Sequence, residues 1–334
     1  MATPTGTNLV TALTRRYVVP EIVDAAYRGN PLLFRWNKAR KKYVRGGSQI
    51  EIPVMHRTLG TGQAYSGFDP ITLAAVDQTR TFAFDWKQVA VPWAIDGLTV
   101  AQFDSPEAVV DILSYSKDVL EMEMADTLGN LVWGPLGNST APGAKELDAI
   151  KAAVNNNSGV LGISASAAYG GITRASGSFH NAQIDSSTST LTEAALNSMW
   201  GNVAEAGQTP TVILSRYEQF NRFLTLGASS RQIPITPEAH DEILFSAGFT
   251  NGVYRNVPWI VDPKVPDGPN SSNSSIYMLN ERYWSFAVHP RADFYLRDWR
   301  EAESHDVMST IMFWYGNVMC SHPARQGVFT AITG

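Results

Sequence analysis

A pair of alternating stretches with a break of phase limits the folds open to this chain. Ile50, Ile52 and Val54 alternate with Gln49, Glu51 and Pro53, the pattern of a half-buried strand. Residues 56–78 follow without clear periodicity and are rich in turn formers (Gly60, Gly62, Ser66, Gly67, Asp69, Pro70). Alternation returns as Phe82, Phe84 and Trp86, then resumes one step out of phase as Val89, Val91 and Trp93. A one-residue slip of this kind marks a β-bulge or a change of partner strand. The stretch reads as a long antiparallel β-arm whose tip is too long for a tight hairpin. Long structureless tips are usually functional or bound to something.

From Asp104 the period changes to 3.6. Asp104 or Ser105 is suited to cap, Pro106 to the first turn and Glu107 to the positive end of the helix dipole. Val109, Ile112, Leu113, Leu120, Met124 and Leu131 recur at helical spacing, with no proline before Pro135. This predicts the longest helix of the chain, over 107–131. Upstream, residues 1–45 read as an N-terminal arm with short helical stretches at 9–17 and 20–29. Its apolar residues Leu32, Leu33, Phe34 and Trp36 lie in a segment too irregular to build a core. Residues 137–189 are rich in Gly, Ser, Ala and Asn, with few large apolar side chains.

An α/β-like block comes next: a helix over 192–206, a buried strand over 210–214, a helix over 217–226, and strands over 253–261 and 276–279. The C-terminal part returns to β character at 294–299, 308–319 and 327–332. Ser321-His322-Pro323 is read as the turn of a final hairpin. The fold class is therefore α+β.

The search for chemistry is negative. Six histidines are present, none in an H-x-x-x-H pair, and there is one cysteine, Cys320. A Cys-based zinc site and an intrachain disulfide are thereby excluded, and a single cysteine fits synthesis in a reducing compartment. There is no G-x-S-x-G elbow and no phosphate-binding G-x-x-x-x-G-K-[ST] loop. Gly60-Thr61-Gly62 begins like a dinucleotide fingerprint, but Tyr65 stands where the third glycine belongs. The pairs Glu121/Glu123 and Glu301/Glu303 read as solvated or ion-paired side chains. No catalytic, cofactor-binding or metal-binding residues are expected. No apolar run approaches the ~20 residues of a membrane helix. The net charge of −5 argues against a dedicated nucleic-acid reader. The one basic cluster, Lys38, Arg40, Lys41, Lys42 and Arg45, reads as facing a lumen or, in preference, a neighbour's acidic residues.

Read in order, these elements resemble the major capsid proteins of tailed bacteriophages, which have the Hong Kong 97-type fold. The resemblance is carried by 49–54 (QIEIPV), 79–96 (TRTFAFDWKQVAVPWAID), 169–174 (YGGITR) and 211–220 (TVILSRYEQF). It implies an N-terminal arm over 1–45 and an extended arm over 46–96. It implies a peripheral domain with the spine helix and a β return (97–140 and 283–334), and a central domain over 141–282. It further implies a non-enzymatic subunit that assembles with itself into pentamers and hexamers of an icosahedral shell. Such a shell encloses double-stranded DNA without sequence-specific binding. The subunit is made in the host cytoplasm and ends in the virion, with a separate scaffolding protein, a portal protein and decoration proteins as partners. Residues 56–78 contain no lysine, so self-crosslinking from the arm is not expected. The alternatives are an encapsulin-like nanocompartment shell and a tail or fibre protein, the long helix arguing against most fibres. The expected subunit-contact residues are Ile50, Ile52, Tyr65, Phe68, Phe82, Phe84, Trp86, Trp36, Arg40 and Lys41. The arm residues Phe82, Phe84 and Trp86, or their opposite-face neighbours, are expected to rest on an adjacent subunit.

Overall fold

The computed structural model describes residues 29–333 except 58–59, 61, 72–75, 99–105, 135–144, 157–167, 177, 206, 231–250, 269–273 and 302–305. The expected helices at 9–17 and 20–29 and the caps Asp104 and Ser105 lie outside these residues.

The first described element is a helix, α1 (Pro31–Ala39), with Leu32, Leu33 and Trp36 buried along one face. This corrects the irregular segment expected there. Proline at the first helical position and apolar residues at i, i+1 and i+4 were the signals. Strand β1 (Lys41–Tyr43) follows. The arm is a ribbon of β2 (Gln49–Met55) and β3 (Thr79–Asp85), paired in antiparallel register from Gln49 opposite Asp85 to Met55 opposite Thr79. Strand β4 (Lys87–Asp96) leaves that ribbon and pairs elsewhere. The phase slip at Trp86 is thus a change of partner strand. The extended ribbon ends at Asp85, shorter than the 46–96 expected.

Helix α2 (Pro106–Trp133) has 28 residues, about 42 Å at ~1.5 Å per residue. Leu120, Met124, Leu128 and Leu131 form its buried stripe, at the i, i+4 and i+3 spacings that put side chains on one face. A single-turn helix, α3 (Ile150–Ala153), a two-residue hairpin of β5 (Ala168–Tyr169) and β6 (Ile172–Thr173), and β7 (Gln183–Asp185) follow. Helix α4 (Glu193–Val203) begins at Thr192, whose hydroxyl accepts from the Ala195 amide, an N-cap of the usual kind. Then come β8 (Val212–Ser215), α5 (Tyr217–Ser230), β9 (Asn251–Tyr254), β10 (Val257–Val261) and β11 (Ser274–Leu279). The single strand expected at 253–261 is a hairpin, turned at Arg255 and Asn256, both with positive φ.

The C-terminal region adds β12 (Trp284–Val288), β13 (Tyr295–Leu296), β14 (Arg300–Glu301), β15 (Val307–Cys320) and β16 (Gly327–Ile332). Two six-stranded sheets result. In the first, β15 is the axis: β4 lies along one edge over ten register pairs, and β14, β13 and β12 follow one another along the other, with β1 outside β12. The second has the order β7-β16-β11-β8-β10-β9. Its strands β8 and β11 are buried throughout. Ile213, Ile276 and Met278 face Trp200, Phe220 and Phe223 of α4 and α5. Val212, Leu214, Tyr277 and Leu279 belong to the core that contains α2. Burial on both faces explains why these strands read as unbroken apolar runs.

The final hairpin is corrected: β15 and β16 lie in different sheets, and Ser321-His322-Pro323 is a crossover between them. Strand β16, expected in the peripheral part, completes the central sheet beside β11 and β7.

Candidate assembly surfaces of the arm

On the inner face of the ribbon, Ile50 opposes Phe84 and Ile52 opposes Phe82, as strict alternation requires. That face does not await another molecule. It packs on the β5–β6 hairpin of the same chain, where the Ala83 amide donates to the Gly170 carbonyl at 3.0 Å. Tyr169 stands edge-on to Phe84 at 5.3 Å and to Phe82 at 6.2 Å. Phe179 and His180 close the cluster around Phe82, and Phe179 reaches His56 beyond the end of β2 at 5.4 Å. Gly170 adopts φ +56°, and a methyl placed there would stand 2.7 Å from Phe82 Cδ1 and 3.0 Å from Phe84 Cζ. The turn needs a residue with neither a Cβ nor a left-handed penalty.

Beneath the hairpin, the buried Arg174 guanidinium donates to the carbonyls of Asn155 and His180 at 2.5 and 2.8 Å and to those of Ala152 and Ala153. These carbonyls belong to loops and a helix end, where the regular ladder leaves backbone acceptors to be satisfied by other donors; the Asn155 carbonyl accepts from the Ala182 amide as well. Burial, and next the Arg174 charge, push the His180 imidazole down to about 4. The Cys320 amide donates to the Tyr169 hydroxyl at 2.8 Å, tying the hairpin to the end of β15. Burial pushes the Cys320 thiol up to about 12, so it stays protonated and unreactive.

The root of the arm is also tied to the body. Asn317 on β15 donates to the Asp85 carbonyl at 2.9 Å and to the Asp148 carboxylate at 2.7 Å. Burial raises the Asp148 carboxyl above its ordinary value, against the pull of the Asn317 amide and Lys87. Upstream, α1 is pinned through Glu281, which is buried. Its carboxylate takes a two-pronged ion pair from Arg35 at 2.7 and 2.8 Å, the Trp36 indole N–H at 3.1 Å and the Thr211 hydroxyl at 3.2 Å.

These positions correct several expected contact residues. Ile50, Phe82, Phe84 and Trp36 are buried within their own chain. Trp36 stacks on Trp284 at 5.1 Å. None of the four offers surface to a neighbour. Lys41 pairs with Asp293 of the same chain at 2.5 Å. Arg40 is half-buried at the end of α1 and Ile52 half-buried on the ribbon. Trp86 is half-buried, with its indole N–H on the Gly47 carbonyl at 3.0 Å and its ring edge-on to His289.

Tyr65 and Phe68 are different. Phe68 is fully exposed and Tyr65 is 64% exposed; Met55 and Ile71, which the alternation does not single out, are exposed as well. A turn holds Phe68 outward: the Asp69 amide donates to the Ser66 carbonyl at 3.1 Å and the Ser66 amide to the Asp69 carboxylate at 2.9 Å, with Gly67 at φ +53°. Among the described residues, no cluster of three His, Cys, Asp or Glu could hold a metal ion. No described helix is long and apolar enough to cross a membrane.

Comparison of the fold with solved structures places it. The chain superposes along its whole length on the capsid protein of cyanophage A-1(L), with a TM-score of 0.66, 13% identity and full coverage of both chains. The capsid of a native GTA particle gives 0.60 at 11% identity, over 95% of this chain and 92% of the other. The SrpI encapsulin of Synechococcus elongatus gives 0.59 at 10% identity, over 100% and 97%. No family model matches the sequence, and no curated protein does so either. The chain has the Hong Kong 97-type fold from end to end, arm and spine helix included.

Proposed function

We propose that this protein is the major capsid subunit of a tailed bacteriophage. It assembles with itself into pentamers and hexamers of an icosahedral shell around double-stranded DNA and resides in the virion. It acts as a structural subunit and not as an enzyme. The observation that carries this reading is the exposed apolar tip, with Tyr65, Phe68 and Ile71, on a ribbon whose inner face is already satisfied. A ribbon braced on its own body can carry a sticky end to a sister subunit without collapsing onto its own core. Contacts of this head-to-tail kind close into rings where the rotation permits, and obligate interfaces of this class bury roughly 2,000 Å² or more.

Scaffolding, portal and decoration proteins are the partners this reading implies. The acidic balance, −5 overall, suits a container that releases its genome, since each Lys or Arg on a phosphate adds a salt-sensitive contact. The test is to express the chain and weigh the product by sedimentation and electron microscopy, then to delete residues 57–77. The expected outcome is megadalton shells from the parent and none from the deletion. Shells of normal form from the deletion would overturn the role of the tip.

The similarity to the SrpI encapsulin supports a second reading, a nanocompartment shell around a protein cargo. Particles purified from the native source decide between them: packaged double-stranded DNA supports the capsid, an enclosed protein the compartment.

A further inference from the structure

A cavity of about 640 Å³ opens where the chain enters the ribbon (Gly46, Gly47) and where it leaves (Trp86). Pockets of roughly 300–1,000 Å³ hold small organic molecules, and a lone inorganic anion would leave most of this one to water. Its floor is made of rings. Phe313 and Tyr315 stand on the face of β15 opposite the buried Trp314, as alternation along a strand requires. Trp86 lines the same space, its indole N–H held on the Gly47 carbonyl at 3.0 Å.

The wall is cationic. Arg291, Arg297 and Arg300 line it with one carboxylate, Asp298. Among the described residues none of these three arginines is ion-paired. Like charges so gathered repel one another, and an anion between them removes the repulsion. Arg297 lies over the Phe313 ring at 5.7 Å, a stacking contact that leaves its in-plane N–H groups for an anion. His289 adds a donor: its Nδ1 accepts from the Arg291 amide at 3.2 Å, so the neutral ring carries its proton on Nε2. The segment that brings these groups together is pinned and strained. The His289 amide donates to the Tyr315 carbonyl at 2.8 Å, and the Tyr315 amide to the Ala292 carbonyl at 2.9 Å. Between Ala292 and Tyr295, both in the lining, Phe294 stands at φ +52°, a left-handed conformation that an aromatic residue rarely adopts. Strain of this kind gathers at ligand sites, where the surroundings over-determine it.

We propose that this cavity binds a free nucleotide, its base on the Trp86–Phe313–Tyr315 floor and its phosphate among Arg291, Arg297 and Arg300. A simple anion has no use for the rings, and a neutral aromatic has none for the arginines; a nucleotide engages both. Any base can stack on aromatic side chains, and arginine grips phosphate through paired N–H donors. Asp298 is an acceptor for the sugar hydroxyls. The site lies within one chain, so the inference does not rest on the shell reading.

Isothermal titration calorimetry of the full-length unassembled chain with AMP tests it. AMP is expected to bind at least tenfold more tightly than adenosine or inorganic phosphate, each of which meets only part of the lining. Arg297→Gln and Arg300→Gln are each expected to weaken AMP at least tenfold. Both side chains are exposed, so these variants keep the parent's urea midpoint. Arg255→Gln is the control. Arg255 also lies over rings, Trp200 at 5.5 Å and Tyr254 at 5.9 Å, but outside the cavity, and its loss leaves the affinity unchanged. No binding of AMP overturns the proposal. Equal binding of AMP and inorganic phosphate overturns it too, since the rings then contribute nothing, as does equal weakening by Arg255→Gln, which makes the binding non-specific. A phosphorylated adenine tetranucleotide that binds at least tenfold more tightly than AMP overturns the free nucleotide as occupant. None of these outcomes depends on whether the chain forms shells.

Discussion

Gly170→Ala probes the joint between the arm and the body. Two costs follow from the structure. Alanine at φ +56° pays the left-handed penalty, about 1–2 kcal/mol. Its methyl also meets Phe82 Cδ1 at 2.7 Å, Phe84 Cζ at 3.0 Å and Phe82 Cβ at 3.1 Å. Both rings are buried, so neither can swing into solvent, and overpacking of such a core costs about 1–3 kcal/mol. The sum is about 2–5 kcal/mol. Gly171 is the internal control: φ is +77° but nothing lies within 4 Å of an added Cβ, so Gly171→Ala pays the first cost alone. Equilibrium urea unfolding of the unassembled chain, followed by tryptophan fluorescence, measures both. Gly170→Ala is expected to be the less stable by about 1–3 kcal/mol, the packing cost. Phe82→Leu in the Gly170→Ala background is expected to recover part of that difference. Equal losses at Gly170 and Gly171 would show that the rings yield at no cost and that packing does not set the difference.

Further expectations concern the buried polar groups. Glu281→Ala removes the carboxylate that accepts from Arg35, the Trp36 indole and the Thr211 hydroxyl, and a broken buried pair costs about 3–5 kcal/mol, read from urea unfolding. Arg174→Lys keeps the charge but loses the fork that reaches four carbonyls. It is expected to lower the unfolding midpoint and to expose 168–180 to limited proteolysis. His180 is held down to about 4 by burial and the Arg174 charge, below its unfolded value of about 6.5. The unfolded chain therefore binds the proton more readily, and His180's contribution is full above pH 6.5 and is lost as pH falls towards 4. Asp262 works in the opposite sense: burial raises it to about 6, so its protonation favours the fold as pH falls from about 6 to 4. His180→Gln is expected to show less loss of stability than the parent between pH 6.5 and 4, and Asp262→Asn more. Identical pH profiles for His180→Gln and the parent would show that His180 does not titrate in this window.

Local patterns are legible in the amino-acid order. Period two at 50–54 and 82–93, period 3.6 over 107–131 and the helical pattern at 192–206 each depend on neighbours a few residues away, and strands or helices stand at each place, the last as Glu193–Val203 capped by Thr192. The change of partner at Trp86 is legible too, because a slip of one residue inverts which side chains face the core. Which residues cover which is set by contacts distant in the chain. Alternation marks Phe82 and Phe84 as needing a cover but cannot name it, and the cover proved to be the hairpin around Gly170, some 86 residues on in the chain. Trp36 and Arg35 in an arm-like segment could not announce Glu281. The crossover at Ser321-His322-Pro323 looks like a hairpin turn because turn residues fix a change of direction and not the sheet that receives the next strand. The cavity beside Trp86 is built from four separated stretches of chain, 46–47, 86–88, 289–300 and 313–315. Burial is a property of the folded ensemble of contacts, and those contacts are long-range.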